Sequence, residues 1–111
     1  MLRITLFYDK DMINILANGH TGYAEEGKDI VCAAISALLQ TFILWLEDEY
    51  GKSLYLEKRK GVLNFKFPAD EKSKFVLSIF LKGLKEISKN YPKYVKLEEV
   101  SQNNGSPTFR S

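Results

Sequence analysis

Apolar and polar residues alternate from the start of the chain: Leu2, Ile4, Leu6 and Tyr8 fall on one side, and Arg3, Thr5 and Phe7 on the other. That period of two predicts a strand. Asp9-Lys10-Asp11 has the residue types of a tight turn, and Met12 to Ala17 predicts a second strand. The two pair as a hairpin that delivers Asn18-Gly19-His20 at its end. Periodicity then fails. Thr21 to Lys28 places Gly22 and Gly27 around Tyr23-Ala24-Glu25-Glu26, the pattern of a mobile loop. Asp29 is a good N-cap, because its carboxylate can accept the free N–H groups of the turn that follows. Ile30 to about Tyr50 predicts a helix stopped near Gly51. This helix is apolar almost all round, so it is expected to be central and mostly buried. A thin line of Asp29, Cys32, Ser36 and Gln40, spaced by three or four residues, shares one face of it.

Leu54 to Glu57 and Val62 to Phe67 predict two more strands, joined around Lys58-Arg59-Lys60-Gly61. Leu63, Phe65 and Phe67 are expected to point to the core. Asp70 caps a second helix over Glu71 to Asn90, whose apolar stripe is Val76, Ile79, Phe80, Leu84 and Ile87. Pro92 prevents its continuation. Tyr94 to Val100 predicts a last strand, and Ser101 to Ser111 a polar, flexible tail. The order is ββαββαβ. It implies an α+β fold in which a mostly antiparallel sheet packs against two helices. At 111 residues the chain fits one domain, residues 1–111.

The hydrophobic fraction of 45% is that of a globular protein. A net charge of +2, from 16 basic and 14 acidic residues, lacks the basic excess of a strong nucleic-acid binder, so no direct nucleic-acid contact is expected. One cysteine cannot form an intrachain disulfide, which suits a reducing compartment. The first residues do not form a signal peptide, because Asp9 and Asp11 follow a short apolar run. The apolar stretch Ile30 to Leu46 is interrupted by Ser36, Gln40 and Thr41 and is shorter than the roughly 20 residues of a membrane span. A cytoplasmic protein without membrane attachment is expected.

The single histidine and single cysteine lie beside structural transitions. His20 closes a strand, and Cys32 stands in the first turn of the apolar helix. A thiol there feels the positive end of the helix dipole, which favours the thiolate. A nearby imidazole would favour it further, and the free N–H groups of the same turn could receive an oxyanion. Composition alone does not force this reading, since a free cysteine more often serves as a small apolar filler. A metal site would need two further ligands beyond this pair, and no cofactor is expected.

The run Gly19-His20-Thr21-Gly22-Tyr23-Ala24, followed by Gly27-Lys28-Asp29-Ile30-Val31-Cys32-Ala33-Ala34-Ile35-Ser36-Ala37-Leu38, resembles the signature of the ribosomal-processing cysteine protease Prp family of Firmicutes and related bacteria. Length and element order extend the likeness over most of the chain. Thr21 replaces a more usual alanine and Ile35 a more usual valine. The resemblance implies that Cys32 is the nucleophile and His20 the general base, and that Gly19, Asp29 and Ser36 match positions needed for activity. It implies a loop over substrate containing Thr21, Gly22, Tyr23 and Gly27. It also implies a homodimer that removes a short N-terminal extension from a large-subunit ribosomal protein, cutting after a pair of phenylalanines and before alanine.

Each supporting residue has a plainer role as well. For Asp29 it is capping the helix and so positioning Cys32. For Ser36 it is a hydrogen bond to the loop, to His20 or to the preceding carbonyl. For Gly19 it is letting the backbone turn or pass close to substrate. An extended peptide could add as a strand beside the sheet. Two other function classes stand beside the protease: a noncatalytic ribosome-associated module using Lys58-Arg59-Lys60, and a thiol redox sensor at Cys32. The triplet reads more simply as a solvated hairpin tip, and a sensor would need a resolving cysteine from outside the chain.

Overall fold

The computed structural model describes residues 1–19 and 29–101. Strands β1 (Leu2–Tyr8) and β2 (Met12–Asn18) form the expected antiparallel hairpin, with Ile4 opposite Ala17 and Leu6 opposite Ile15. Asp9 makes the turn work. Its carboxylate accepts the N–H groups of Asp11 at 3.0 Å and Met12 at 3.4 Å, satisfying donors the turn would leave open. β3 (Tyr55–Arg59) and β4 (Val62–Pro68) form a second hairpin closed by Lys60-Gly61, with Gly61 at φ 77°. The strand therefore continues two residues beyond its expected end at Glu57, and Lys58 and Arg59 belong to the sheet. β5 (Val95–Ser101) pairs parallel with β1. The sheet order is β3-β4-β2-β1-β5, mixed but mostly antiparallel, as the alternating pattern predicted.

Helices α1 (Ile30–Tyr50) and α2 (Glu71–Asn90) begin and end where the capping residues predicted. Both cover one face of the sheet, where Ile4, Leu6, Ile13, Ile15, Phe65 and Phe67 meet Val31, Ile35, Leu39, Phe42 and Leu46. Phe42 is 0% exposed and sits at the centre. It stacks on Phe80 at 5.2 Å and meets Phe65 and Phe67 edge-on at 6.1 and 5.3 Å. Such rings add attraction beyond the area they bury. Gly83 brings the helices together: a Cβ there would stand 3.0 Å from Leu38 Cδ1. α2 starts on a capping box in which the Ser73 N–H donates to Asp70 at 2.8 Å and the Asp70 N–H donates to Ser73 Oγ at 3.0 Å. The Ser73 hydroxyl donates to the Pro68 carbonyl at 2.7 Å, so this wholly buried polar side chain is satisfied.

Two burial expectations are corrected. α1 has the length and apolarity of a membrane-crossing helix, yet only one of its faces is buried. Ile30, Ala33, Ala34, Ala37 and Leu44 remain exposed, because the sheet has a single layer of helices and nothing in the described chain covers their outer side. On α2, Ile79 is exposed and Leu77 takes the buried place, one residue off the expected stripe. Ser101 closes β5 and does not begin the tail; residues 102–111, where the rest of the expected tail falls, lie outside the described residues.

Candidate active site

Asp29 Oδ1 accepts the backbone N–H of Cys32 at 2.9 Å, while the Asp29 carbonyl accepts the N–H of Ala33 at 3.1 Å. The cap fixes the first turn of α1 and with it the direction of the Cys32 side chain. One turn and two turns further on, Ser36 and Gln40 follow on the same face. All three line a groove of about 280 Å³ at the end of the sheet. Leu2, Ala17 and Gly19 form its second side, where β1 begins and β2 ends. The β3–β4 hairpin forms the third, through Lys58, Arg59, Gly61, Val62 and Leu63. Ile35, Leu39 and Leu63 make its base apolar, a surface suited to a hydrophobic side chain with polar groups at the rim.

Gly19 has φ 102°, a conformation that side chains disfavour, and its N–H donates to the Gly61 carbonyl at 2.9 Å. A Cβ at this position would lie 2.5 Å from the Met1 carbonyl oxygen. The close approach that requires glycine is thus to the chain's own first residue. Gly19→Ala is expected to cost about 1–3 kcal/mol from backbone strain and the clash; urea unfolding of the full chain measures it.

Cys32 is half-buried. Burial pushes its thiol above the ordinary value, and the Asp29 carboxylate pushes in the same direction. Burial, the larger cause, and the Asp29 charge thus oppose ionisation at the start of α1, where the helix dipole favours it. Asp29→Asn keeps a capping oxygen and removes the charge. It is expected to lower the thiol pKa and speed alkylation of Cys32 by iodoacetamide at neutral pH several-fold, with an unchanged circular dichroism spectrum. An alkylation rate that stays level or falls would show that the carboxylate does not oppose ionisation.

Of the residues singled out in the sequence, Gly19, Cys32 and Ser36 come together on one groove, and Asp29 adjoins it through the cap. His20, Thr21, Gly22, Tyr23 and Gly27 lie outside the described residues. The sequence reads Lys58 as part of a solvated tip, but it lines the groove. Its ammonium donates to Gln40 Oε1 at 3.5 Å across the rim, while Arg59 pairs with Glu57 at 2.8 Å. The signal was present: Lys58 has the same strand parity as Leu56, which faces the helices. A second concavity, about 290 Å³, is lined by Phe7, Asp9, Met12, Asn14 and Lys66, and holds neither cysteine nor serine.

The model of the family described as cysteine protease Prp matches residues 1–96. The ribosomal processing cysteine protease Prp of Mycoplasma genitalium is 31% identical over 90 residues, covering 78% of this chain and 88% of its own. A crystal structure from Streptococcus mutans superposes with a TM-score of 0.69 at 28% identity, over 92% of this chain and 96% of that one. The ribosomal processing protease Prp from S. aureus, in complex with a covalently linked product peptide, shares the fold with a TM-score of 0.76 at 20% identity, over 89% and 99% of the two chains. The chain belongs to the cysteine protease Prp family.

Proposed function

We propose that this chain is an endopeptidase that removes the short N-terminal extension of a large-subunit ribosomal protein, with Cys32 as nucleophile and His20 as its acid–base partner. The observation that carries this reading is the groove. It has the chain's single cysteine on its wall, an apolar base, and Gly19, which directly precedes His20 in the chain, on the opposite side. The relative from Mycoplasma genitalium is named for ribosomal processing, and the S. aureus relative was captured with a covalently linked product peptide.

In this mechanism His20 takes the proton of the Cys32 thiol, and the thiolate attacks the carbonyl carbon before the scissile bond. In this reading the oxyanion is received by backbone N–H groups at the start of α1 other than those of Cys32 and Ala33, which Asp29 already holds. His20 donates its proton to the departing amine, leaving a thioester, then takes a proton from water as the water attacks that thioester. Thr21, Gly22, Tyr23 and Gly27 are assigned to substrate contact in this reading. Ser36 stands one turn from the sulfur and serves as a positioning residue. Burial and Asp29 both oppose ionisation of Cys32, and in this reading His20 as imidazolium offsets them. His20→Ala is therefore expected to lower cleavage by about 10²–10⁴-fold and to move the alkylation of Cys32 to higher pH. An unchanged alkylation profile would remove His20 from this role.

The decisive test is incubation of the full chain with a peptide bearing two phenylalanines followed by alanine, read by mass. One cut between phenylalanine and alanine supports the reading, and an intact peptide refutes it. A homodimer fits the large apolar side chains left open on the outer sides of both helices, Ile30 and Leu44 on α1 with Phe75 and Ile79 on α2. Sedimentation velocity of the full chain checks it, a monomer at micromolar concentration being the contrary result. A cytoplasmic location follows from the same reading, and cell fractionation tests it.

A further inference from the structure

The groove is bounded by a sheet edge whose hydrogen-bonding groups have no partner among the described residues. β3 is the outermost strand and pairs with β4 alone. Its hairpin closes through Lys60-Gly61 with Arg59 opposite Val62, so Arg59, Glu57 and Tyr55 exchange backbone hydrogen bonds with β4. By the same alternation the N–H and C=O groups of Leu56 and Lys58 point away from β4. Lys58 is also a wall residue of the groove that holds Cys32, where its ammonium reaches Gln40 two turns along α1 from the thiol. Lys58 thus belongs both to the unpaired edge and to the wall of the groove that Cys32, Ser36 and Gln40 line.

We infer that the substrate peptide binds in extended form by adding a strand to the outer edge of β3, exchanging backbone hydrogen bonds with Leu56 and Lys58. Main-chain pairing supplies affinity that does not depend on side chains, and alternate side chains of the peptide turn toward the apolar base formed by Ile35, Leu39 and Leu63. The charges of Glu57, Lys58 and Arg59 guard the same edge against pairing with another sheet, which leaves it open to a single short strand. This inference rests on the protease reading and adds to it where the substrate lies and which backbone groups hold it.

The test uses the full-length Cys32→Ala protein and the diphenylalanine–alanine peptide, fluorescently labelled and N-methylated at one residue at a time. A peptide paired as a strand offers every second N–H to β3, so affinity should fall about tenfold at alternating positions and little at those between. Amide hydrogen exchange at Leu56 and Lys58 should slow in the complex. A peptide that binds with losses that do not alternate, or leaves both amides unprotected, overturns the docking while the protease reading stands. A peptide that the mutant does not bind and the wild-type chain does not cut overturns both.

Discussion

Replacing Cys32 by alanine or by serine is expected to abolish peptide cleavage, by at least about a thousandfold, with the fold intact. Alanine removes the nucleophile outright. Serine keeps the geometry of the groove wall, but its hydroxyl ionises far less readily than a thiol. Neither change touches the cap, because Asp29 accepts the backbone N–H of residue 32 and not its side chain. The half-buried sulfur faces the groove and not the aromatic core, so stability should change by about 1 kcal/mol or less. Cleavage assays alongside urea unfolding separate the two effects. Full activity in either variant would place the nucleophile elsewhere.

The largest expected effect on stability is at Phe42. Its ring is wholly buried, stacks on Phe80 and Trp45, and meets Phe65 and Phe67 across the helix–sheet boundary. Phe42→Ala removes the side chain joining both helices to the sheet and leaves a cavity that rigid neighbours fill only in part. The expected loss is about 3–5 kcal/mol, a large share of what holds a domain of this size together. Asp48→Ala, further along the same helix but exposed, should change stability by about 0.5 kcal/mol or less. Urea midpoints for the pair measure the contrast. Equal losses would mean that the two faces of α1 are buried alike.

That contrast marks where the sequence stopped being informative. The alternation in Leu2–Tyr8, the caps Asp29 and Asp70, and the stops at Gly51 and Pro92 are local signals, and the elements fall where those signals put them. A helix apolar nearly all round does not reveal which face meets the sheet, so α1 read as more buried than it is. On α2 the apolar residues form two neighbouring stripes, and only packing selects Leu77 over Ile79. The parallel pairing of β5 with β1 is equally invisible, because alternation reports the buried face of a strand and not its neighbour. Ser73 carries no hydrophobic signal and still became fully buried, since its partners Asp70 and Pro68 satisfy it.

At the site, the line Cys32, Ser36, Gln40 was legible from helical spacing, and it lines the groove. What spacing alone could not convey is that the third wall comes from the β3–β4 hairpin, far along the chain. Nor could it convey that the negative charge of the cap works against the thiolate.

The most direct check on the nucleophile is covalent. The full chain is treated with a peptide ending in two phenylalanines and a chloromethyl ketone, digested, and mapped by mass, with residual cleavage followed in parallel. A single adduct on Cys32, with activity lost in proportion to labelling, is the predicted result. Cleavage that survives complete labelling of Cys32, or an adduct confined to another residue, would contradict it.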